Sequence, residues 1–496
     1  MKSIVKGSSI LTGVSIGEMA IRFVRTKCIA LVLGPSGTGF FTQLVIFFEA
    51  LRTLGDLGSR RGVIKQVAEQ RFTGEATPAY RKVLVTSFFL MAVSALTVGA
   101  AVVIFSPAIS RLLFQDPSYY RYVIFLGILL PLACIATLMA SIVKGNMDFI
   151  SFARYTLGAY ALVFVVTPVV TYFFKEWGAV MAMALFFVAP LFSYLLLNAR
   201  RPFLHFGGRV DLPALREQFS FGLAQIYQDA LTHVMRIVIA AWIVHGLGLS
   251  TLGIYQVVMT FTTVYMSIPI QATSGYVLPL IAGARNNEEV GTALNDSVRF
   301  LMFALVPIVI FIAVVPELLI LLCYSKDFEP AVPYLQVQLI GTLFVLMGYS
   351  YSAALSGKGK LKAIAIISSI YCGIMLGVAR LLFPRWGLMG VSVGVSAAAV
   401  ANYLMHIYAA RHYFGARTAP KNVRLVSMTL LWAGLAFVGL AFFDGIASRA
   451  LILAFAPVWF WVSSKDHERH FMWELAGRCF KSFFRKGVPL VQKPVS

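Results

Sequence analysis

Residues 21–41 of the chain read IRFVRTKCIALVLGPSGTGFF, and a related stretch, MRIVIAAWIVHGLGLSTLGIY, returns at residues 235–255. Each stretch is an apolar run that carries an arginine and leads into a turn containing glycine. A shift of 214 residues aligns Arg22 with Arg236, Gly34 with Gly248 and Gly39 with Gly253. Self-similarity at one offset is typical of an internal repeat, so the sequence predicts a chain built from two related halves.

The composition around these stretches is that of a membrane protein. Of the 496 residues, 59% are hydrophobic and 13% are charged, whereas soluble domains contain about 25% charged residues. Apolar runs of about twenty residues recur along the chain, and each is long enough to cross a hydrocarbon core of about 30 Å as a helix. The net charge of +21 lies largely in the short connections, which indicates topology signals and no nucleic-acid partner.

Hydropathy predicts fourteen membrane spans, with centres near residues 20, 50, 92, 132, 162, 188, 230, 265, 308, 343, 370, 398, 432 and 455. Lysine and arginine are concentrated in the connections on the N-terminal side, which predicts that both termini are cytoplasmic. The longest connection on the other side is roughly 107–121. It is too short for the external domain of a polymerase or ligase, so a membrane enzyme is disfavoured.

The repeat contains six spans, which is an even number, so the two halves share one orientation and are related by an axis along the membrane normal. The predicted fold class is all-α: a polytopic membrane protein of about 14 transmembrane helices, with two six-helix lobes related by a parallel repeat and two extra C-terminal helices. The predicted divisions are an N-lobe at 1–199, a C-lobe at 200–413, two added spans at 414–464 and a basic amphipathic cytoplasmic tail at 465–496.

Ionisable residues lie within three of the predicted spans at spacings that gather them on one helix face. They are Glu18, Arg22 and Arg25 in span 1, Glu49, Arg52 and Asp56 in span 2, and Asp229, His233 and Arg236 in span 7. A lipid-facing stripe of three such residues would cost on the order of 8 to 10 kcal/mol. The stripes must therefore face protein, water or a polar ligand.

Two interpretations of these charges remain open. They could neutralise one another along their own helices, as Glu18 with Arg22 or Arg52 with Asp56 at a spacing of four residues. Alternatively, they line a central cavity and bind a substrate, because a guanidinium offers a planar fork of donors suited to phosphate oxygens. The predicted cavity set is Arg22, Arg25, Arg52 and Arg236 with the carboxylates Glu18, Glu49 and Asp56.

Two further groups have alternative roles. Arg60, Arg61 and Lys65 follow span 2 and are either topology markers or an entrance that attracts an anionic head group. Asp229 and His233 lie one turn apart and either form a structural hydrogen-bonded pair or exchange a proton that couples transport to a gradient.

No sequence motif predicts catalysis or a metal site. GVSVG at residues 390–394 matches the G-x-S-x-G pattern but lies within a span, where its glycines favour close helix packing. The histidines show no zinc-binding spacing, and GKGKLK at 357–362 lacks the features of a P-loop. We therefore predict no catalytic residue, no metal and no cofactor, with H⁺ or Na⁺ as the candidate coupling ion.

Several stretches resemble a known family. The opening stretch, LGDLGSRRGVIKQVAEQR at 54–71, YSKDFEPA at 324–331 and the KGK turn at 358–360 resemble the O-antigen flippase (Wzx-type) branch of the multidrug/oligosaccharidyl-lipid/polysaccharide exporter superfamily. The resemblance covers about residues 1–413. It implies a V-shaped, alternating-access carrier of undecaprenyl-diphosphate-linked glycans in a bacterial inner membrane, with basic residues in its central cavity. A polysaccharide polymerase and a chain-length regulator are partners by the same analogy.

Members of this branch commonly have twelve spans, and the two extra spans are similar to those of the lipid II flippases. The alternatives to an O-antigen or exopolysaccharide flippase are therefore a lipid II-type precursor flippase and a cation-coupled multidrug exporter of the same fold. A drug exporter would favour a cavity rich in carboxylates over this arginine-rich one. A membrane polymerase or ligase is the least favoured function.

Overall fold

A computed structural model of the chain describes residues 2–70, 77–197, 210–267, 283–442 and 445–464, together with Ile270, Ile281 and Arg469. Within these ranges the chain is helical and contains no strand. The predicted tail at 465–496 lies almost wholly outside the described residues, as does the predicted lobe boundary at 199–200. The predicted domain boundaries stay predictions.

The helices of the N-terminal half are α1 (Lys2–Gly55), α2 (Arg60–Gln70), α3 (Pro78–Ile104), α4 (Ser106–Phe114), α5 (Tyr120–Gly145) and α6 (Phe149–Leu197). Those of the C-terminal half are α7 (Leu212–Met259), α8 (Asn287–Val314), α9 (Pro316–Cys323), α10 (Val332–Gly357), α11 (Leu361–Trp386) and α12 (Leu388–Phe414). Two more helices follow, α13 (Pro420–Phe442) and α14 (Ile446–Ser463).

Three helices are too long for a single membrane span, and each is broken near its middle. In α1, of 54 residues, Gly34 has a φ of 61° and precedes Pro35. The chain reverses there, because Arg25 and the Phe41 ring lie 5.4 Å apart, whereas a straight helix would separate them by about 24 Å. Lys175, with a φ of 51°, breaks α6, and Gly248, with a φ of 87°, breaks α7.

The breaks account for the number of spans. Eleven described helical segments are long and apolar enough to cross a membrane, and the three broken ones are 43, 48 and 42 residues long. Since a span needs about twenty residues, each broken segment holds two spans. The predicted fold class, with about 14 transmembrane helices, is confirmed.

The order of elements repeats between the halves. In the first half α3 is followed by the short helix α4, a 3₁₀ turn at Pro117–Tyr119 and α5, and in the second α8 is followed by α9, a 3₁₀ turn at Lys326–Ala331 and α10. The connection predicted at 107–121 is therefore largely helical. Proline at the start of both α4 and α9 explains this, because its missing N–H is not needed in the first helical turn.

The two halves cross at the glycines of the repeat. A Cβ atom added to Gly39 would meet the backbone of Leu249 and Gly253, and one added to Gly253 would meet the backbone of Pro35 and Gly39. This contact is reciprocal, because the shift of 214 residues aligns Pro35 with Leu249 and Gly39 with Gly253. A two-fold relation between the halves requires such reciprocity.

The contacts that dock the two added helices on α8 include one buried cation. The Arg299 guanidinium donates to the carbonyl of Lys421 (3.3 Å), to the Asn422 side-chain oxygen (3.3 Å) and to the carbonyl of Ser463 (3.0 Å). It thus joins α8 to the start of α13 and the end of α14. A cation at the carbonyl end of a helix is electrostatically favourable.

Candidate substrate cavity

A cavity of about 560 Å³ lies between α1 of the first half and α7, α10, α11 and α12 of the second. Its volume is in the range of small-molecule binding sites, about 300–1,000 Å³. The residues of the predicted cavity set that line it are Arg22, Arg25, Glu49 and Arg236. Glu18, Arg52 and Asp56 are not among its lining residues, although all three lie close by in α1 or just after it.

Arg22 and Arg25 are held by the same aromatic ring on α6. Their guanidinium carbons lie 5.0 and 4.9 Å from the centre of the Phe186 ring. Phe186 in turn stacks on Tyr160 at 5.2 Å with nearly parallel planes. Cation–π attraction of this kind strengthens where water is excluded, so the ring fixes both cations in the membrane interior.

The two arginines differ in their acidic partners. Arg22 is paired with Glu18, which accepts from its Nε at 3.1 Å and its Nη2 at 2.9 Å. Arg25 is only 6% exposed, and its Nε and Nη1 atoms have no hydrogen-bond partner within the described residues. Burying a cation without a hydrogen-bonded counter-charge is costly. A ligand that supplies an acceptor to Arg25 would therefore be stabilised.

Arg236 is paired across the two halves. Its Nη1 atom lies 2.9 Å from the Oε2 oxygen of Glu49. This pair joins the part of α1 after Gly34 to the part of α7 before Gly248. The lining residues of the cavity therefore include three guanidinium groups and one carboxylate. The excess of positive charge suits an anionic ligand.

Arg52 and Asp56 do not pair with each other in the structure. Arg52 donates to the Thr137 hydroxyl at 2.9 Å and stacks over the Phe187 ring at 4.6 Å. Asp56 lies in the turn after α1, where its Oδ1 accepts from the Gly58 N–H at 2.9 Å and its Oδ2 forms an ion pair with Arg60 at 2.9 Å. The turn forms because Gly58 adopts a positive φ of 59°, which glycine tolerates without strain.

The residues predicted for proton coupling and for the entrance lie at one end of the bundle. His233 Nε2 is 3.1 Å from the Thr53 hydroxyl, and Asp229 is 3.8 Å from the Arg60 guanidinium. Lys65 pairs with Glu69 at 3.7 Å along α2, and Arg61 also lies in α2. His233 and Asp229 thus contact the first half of the chain.

The halves also touch at the other end of the bundle. The Lys27 ammonium donates to the carbonyls of Leu321 (2.9 Å) and Leu322 (2.7 Å) at the end of α9. His245 of α7 lies 3.0 Å from the carbonyl of Leu112 near the end of α4. The Glu49–Arg236 and Thr53–His233 contacts join the halves toward the opposite end, so the cavity lies between two sets of contacts.

The wall formed by α10, α11 and α12, together with Gln256 of α7, carries polar side chains without a formal charge, and sequence reasoning missed it. Its lining side chains with hydrogen-bonding groups include Gln256, Gln338, Ser352, Ser368, Tyr371, Asn402 and His406. The available signal was the presence of Gln, Asn and His inside apolar spans, because polar groups are rare there without a role. Phe186 and Phe187, whose rings stack against the arginines, are apolar residues in an apolar span, so nothing in the sequence marked them.

Comparison with known proteins gives the family. The family described as "Polysaccharide biosynthesis protein" matches residues 29–333. None of the curated protein sequences matches the chain significantly.

Solved structures share the fold at low sequence identity. The lipid II flippase MurJ in an inward closed conformation superposes with a TM-score of 0.69 and 13% identity, covering 94% of this chain and 100% of that one. A multidrug resistance MATE family transporter of the MOP superfamily superposes in its inward-facing conformation with a TM-score of 0.66 and 16% identity, covering 80% and 95%. An outward-facing MATE transporter gives 0.60 and 19%, covering 84% and 96%.

These similarities and the helical architecture agree with the resemblance to the Wzx-type branch. The chain is a multi-pass membrane protein with the fold of the multidrug/oligosaccharidyl-lipid/polysaccharide exporter superfamily, and it belongs to the polysaccharide biosynthesis protein family.

Proposed function

We propose that this protein is a flippase that carries an undecaprenyl-diphosphate-linked oligosaccharide, an O-antigen or exopolysaccharide repeat unit, from the cytoplasmic to the periplasmic leaflet. The observation that carries the proposal is the buried Arg25, whose Nε and Nη1 have no hydrogen-bond partner among the described residues, beside a cavity with an excess of positive charge. A diphosphate supplies the missing acceptors, and charge-assisted hydrogen bonds to it are the stronger class. No covalent chemistry is needed, so the protein is not an enzyme.

The mechanism is alternating access between the two ends of the bundle. The diphosphate and sugars occupy the cavity, while the lipid tail stays in the bilayer because hydrocarbon cannot solvate the polar head. The bias of lysine and arginine toward the N-terminal side supports cytoplasmic termini in a bacterial inner membrane. Arg60, Arg61 and Lys65 would attract the head group at that end.

Coupling to H⁺ or Na⁺ is part of the proposal, with Asp229 and His233 as the proton-binding candidates. Both lie against the first half, at Arg60 and Thr53, so a change in their charge would alter a contact between the halves. A polysaccharide polymerase and a chain-length regulator would act on the product in the outer leaflet.

The lipid II-type precursor flippase is the second candidate. It is supported by the superposition on MurJ, which extends over 94% of the chain. The same diphosphate chemistry serves both substrates. A cation-coupled drug exporter fits less well, because Glu49, the one carboxylate among the described lining residues, already pairs with Arg236.

Deletion of the gene tests the proposal. We expect loss of the surface polysaccharide and accumulation of undecaprenyl-diphosphate oligosaccharide in the cytoplasmic leaflet, and the accumulated lipid identifies the glycan. Wild-type protein should restore the polymer, whereas Arg25→Ala inserted at the same level should not. Accumulation of lipid II would select the second candidate. Unchanged polysaccharide with altered drug sensitivity would assign the protein to the exporters.

A further inference from the structure

The wall of the cavity formed by the second half contains two acceptors without partners. Gln338 of α10 is 2% exposed and His406 of α12 is 5% exposed, and both line the cavity. Gln338 Oε1 and His406 Nε2 have no hydrogen-bond partner within the described residues. A buried acceptor left unpaired is unfavourable and uncommon in folded proteins, so a ligand that donates to these atoms would relieve the penalty.

The orientation of the Gln338 amide follows from its neighbour. Its nitrogen lies 3.0 Å from the Thr262 hydroxyl oxygen, and Thr262 uses its single proton to donate to the carbonyl of Val258 at 2.8 Å. The Thr262 oxygen can therefore only accept, which requires the amide nitrogen on that side. The carbonyl oxygen of Gln338 is the atom that remains free.

The protonation of the His406 ring follows in the same way. Its Nδ1 atom lies 2.8 Å from the backbone carbonyl of Asn402, which has no proton to give. Nδ1 must therefore carry the hydrogen, and in the neutral ring Nε2 is then an acceptor. Both free atoms of this wall call for donors, in contrast to the free nitrogens of Arg25 on the wall of the first half.

A ligand that satisfies both walls must present acceptors to Arg25 and hydroxyl donors to Gln338 and His406. We propose that Gln338 and His406 bind glycan hydroxyl groups and so determine which glycan the protein carries. This inference rests on the proposed flippase function and adds the sugar-selecting wall to it. A bare diphosphate would satisfy only the first wall.

The two acceptors are spaced along the cavity. Ser396 of α12 donates to the carbonyl of Val337 on α10 at 3.0 Å, which sets Gln338 near the level of Ser396. His406 is ten residues further along α12, or on the order of 15 Å at the helical rise. Two acceptors at this distance would bind hydroxyl groups on different sugar units of one oligosaccharide.

Binding of two lipids to the full-length protein in nanodiscs tests the inference. The probes are undecaprenyl diphosphate and the same lipid carrying a linear chain of three glucose units, which is long enough to reach both acceptors. Tryptophan fluorescence reports the dissociation constants. We expect wild type to bind the glucosyl lipid more tightly. Gln338→Leu and His406→Phe should each weaken its binding about five-fold, the loss of one neutral hydrogen bond, and leave binding of the bare lipid unchanged. His406→Gln, which restores an acceptor, should recover the difference.

Gln336→Leu is the matched control, because Gln336 is on the same helix but donates to the carbonyl of Ala313 and does not line the cavity. Thermal stability identifies any variant that misfolds. If one does, the comparison of glucosyl-lipid binding between His406→Gln and His406→Phe decides whether the acceptor matters. Equal affinity of wild type for the two lipids, or variants that weaken both equally, would overturn the sugar wall and leave the flippase proposal standing. Wild type that binds neither lipid would overturn both.

Discussion

If Arg25 binds the substrate as proposed, this one residue is unfavourable for stability and useful for transport. It lies in the membrane interior, between Phe41 and Phe186, and two of its nitrogens have no hydrogen-bond partner in the part of the chain that the structure describes. Protein donors that are already satisfied would gain little from a phosphate, whereas unsatisfied ones gain a full hydrogen bond. A site that is strained when empty therefore favours the loaded state.

Arg25→Met is expected to separate the two effects. Transport should fall by at least about ten-fold, because hydrogen bonds to charged groups contribute about 1.5–3 kcal/mol each. The melting temperature should rise, since replacing buried charge by an apolar side chain is often stabilising by about 1–4 kcal/mol. Flipping of labelled lipid in vesicles and thermal unfolding in detergent measure the two quantities.

Arg121→Met is the control for Arg25→Met, because Arg121 is exposed and lies beside Tyr120, away from the cavity. Arg25→Lys should restore part of the transport, as it keeps the charge but loses the planar fork. Unaltered transport by Arg25→Met would remove Arg25 from the substrate site.

The sequence predicted which charges lie in the membrane but not how they pair. Glu18 and Arg22 pair along one helix at a spacing of four residues, which local geometry makes predictable. The partner of Arg236 is Glu49, 187 positions away. That pairing depends on how the halves pack, and a single sequence contains no local signal for it.

At the scale of helices, the contact between Gly39 and Gly253 should tolerate no side chain. Gly39→Ala would drive a methyl group into the backbone of α7, and overpacking of this kind costs about 1–3 kcal/mol. Gly373→Ala on α11 is the matched control, because nothing lies within 4 Å of its added Cβ. It should be neutral or stabilising, since alanine is the better helix former. Thermal unfolding of both variants compares them directly, and equal melting temperatures would argue against the close crossing.

Arg299 should determine whether α13 and α14 stay docked. Removing it in Arg299→Ala leaves the carbonyl of Ser463 and the side chain of Asn422 without this donor. We expect faster hydrogen–deuterium exchange throughout α13 and α14 and a loss of about 1.5–3 kcal/mol. Arg424→Ala, which changes an exposed arginine on α13, should exchange like wild type. Protection that survives in Arg299→Ala would show that apolar packing alone holds the pair.

The helix breaks illustrate what local sequence can reveal about elements. Gly34 with Pro35, and its counterpart Gly248, were visible as turns because glycine and proline have distinct backbone preferences. The break at Lys175 was predicted only by hydropathy, as the connection between the spans centred near residues 162 and 188, since a lysine has no preference for a positive φ. There the position of the turn is set by packing, as Gly178 lies against the backbone of Val170.

For the whole molecule, hydropathy and the repeat were enough to predict fourteen spans, twelve of them in two related halves, because both signals are present in the linear sequence. The conformation of the halves was not predictable from them. An alternating-access carrier visits states of similar free energy with the same helices, and the choice among them depends on few contacts. The contacts described between the halves include Glu49–Arg236 and Thr53–His233 at one end and Lys27–Leu321 at the other.

If transport requires the end at Thr53 to open, then joining the halves there should stop it. In a background where Cys28, Cys134, Cys323, Cys372 and Cys479 are serine, we would place cysteines at Thr53 and His233, whose side chains meet at 3.1 Å. The double-cysteine protein lacks the imidazole of His233, so its own flipping rate before cross-linking is the reference. A short, reducible bifunctional thiol reagent should abolish that flipping in vesicles, and reduction should restore the reference rate, because rigid-body separation of the halves is the motion that alternating access needs.

The matched control for this cross-link is a cysteine pair at Tyr155 and Tyr194. Their rings are 5.4 Å apart, and the two residues lie on either side of the break in α6 at Lys175. That pair lies within one half, so cross-linking it should leave flipping largely intact. If the Thr53–His233 cross-link also left flipping intact, the two halves would not need to separate at that end, and the cavity would have to load through an opening elsewhere. The comparison between the two cross-links therefore tests whether motion between halves, and not flexibility within one, moves the substrate.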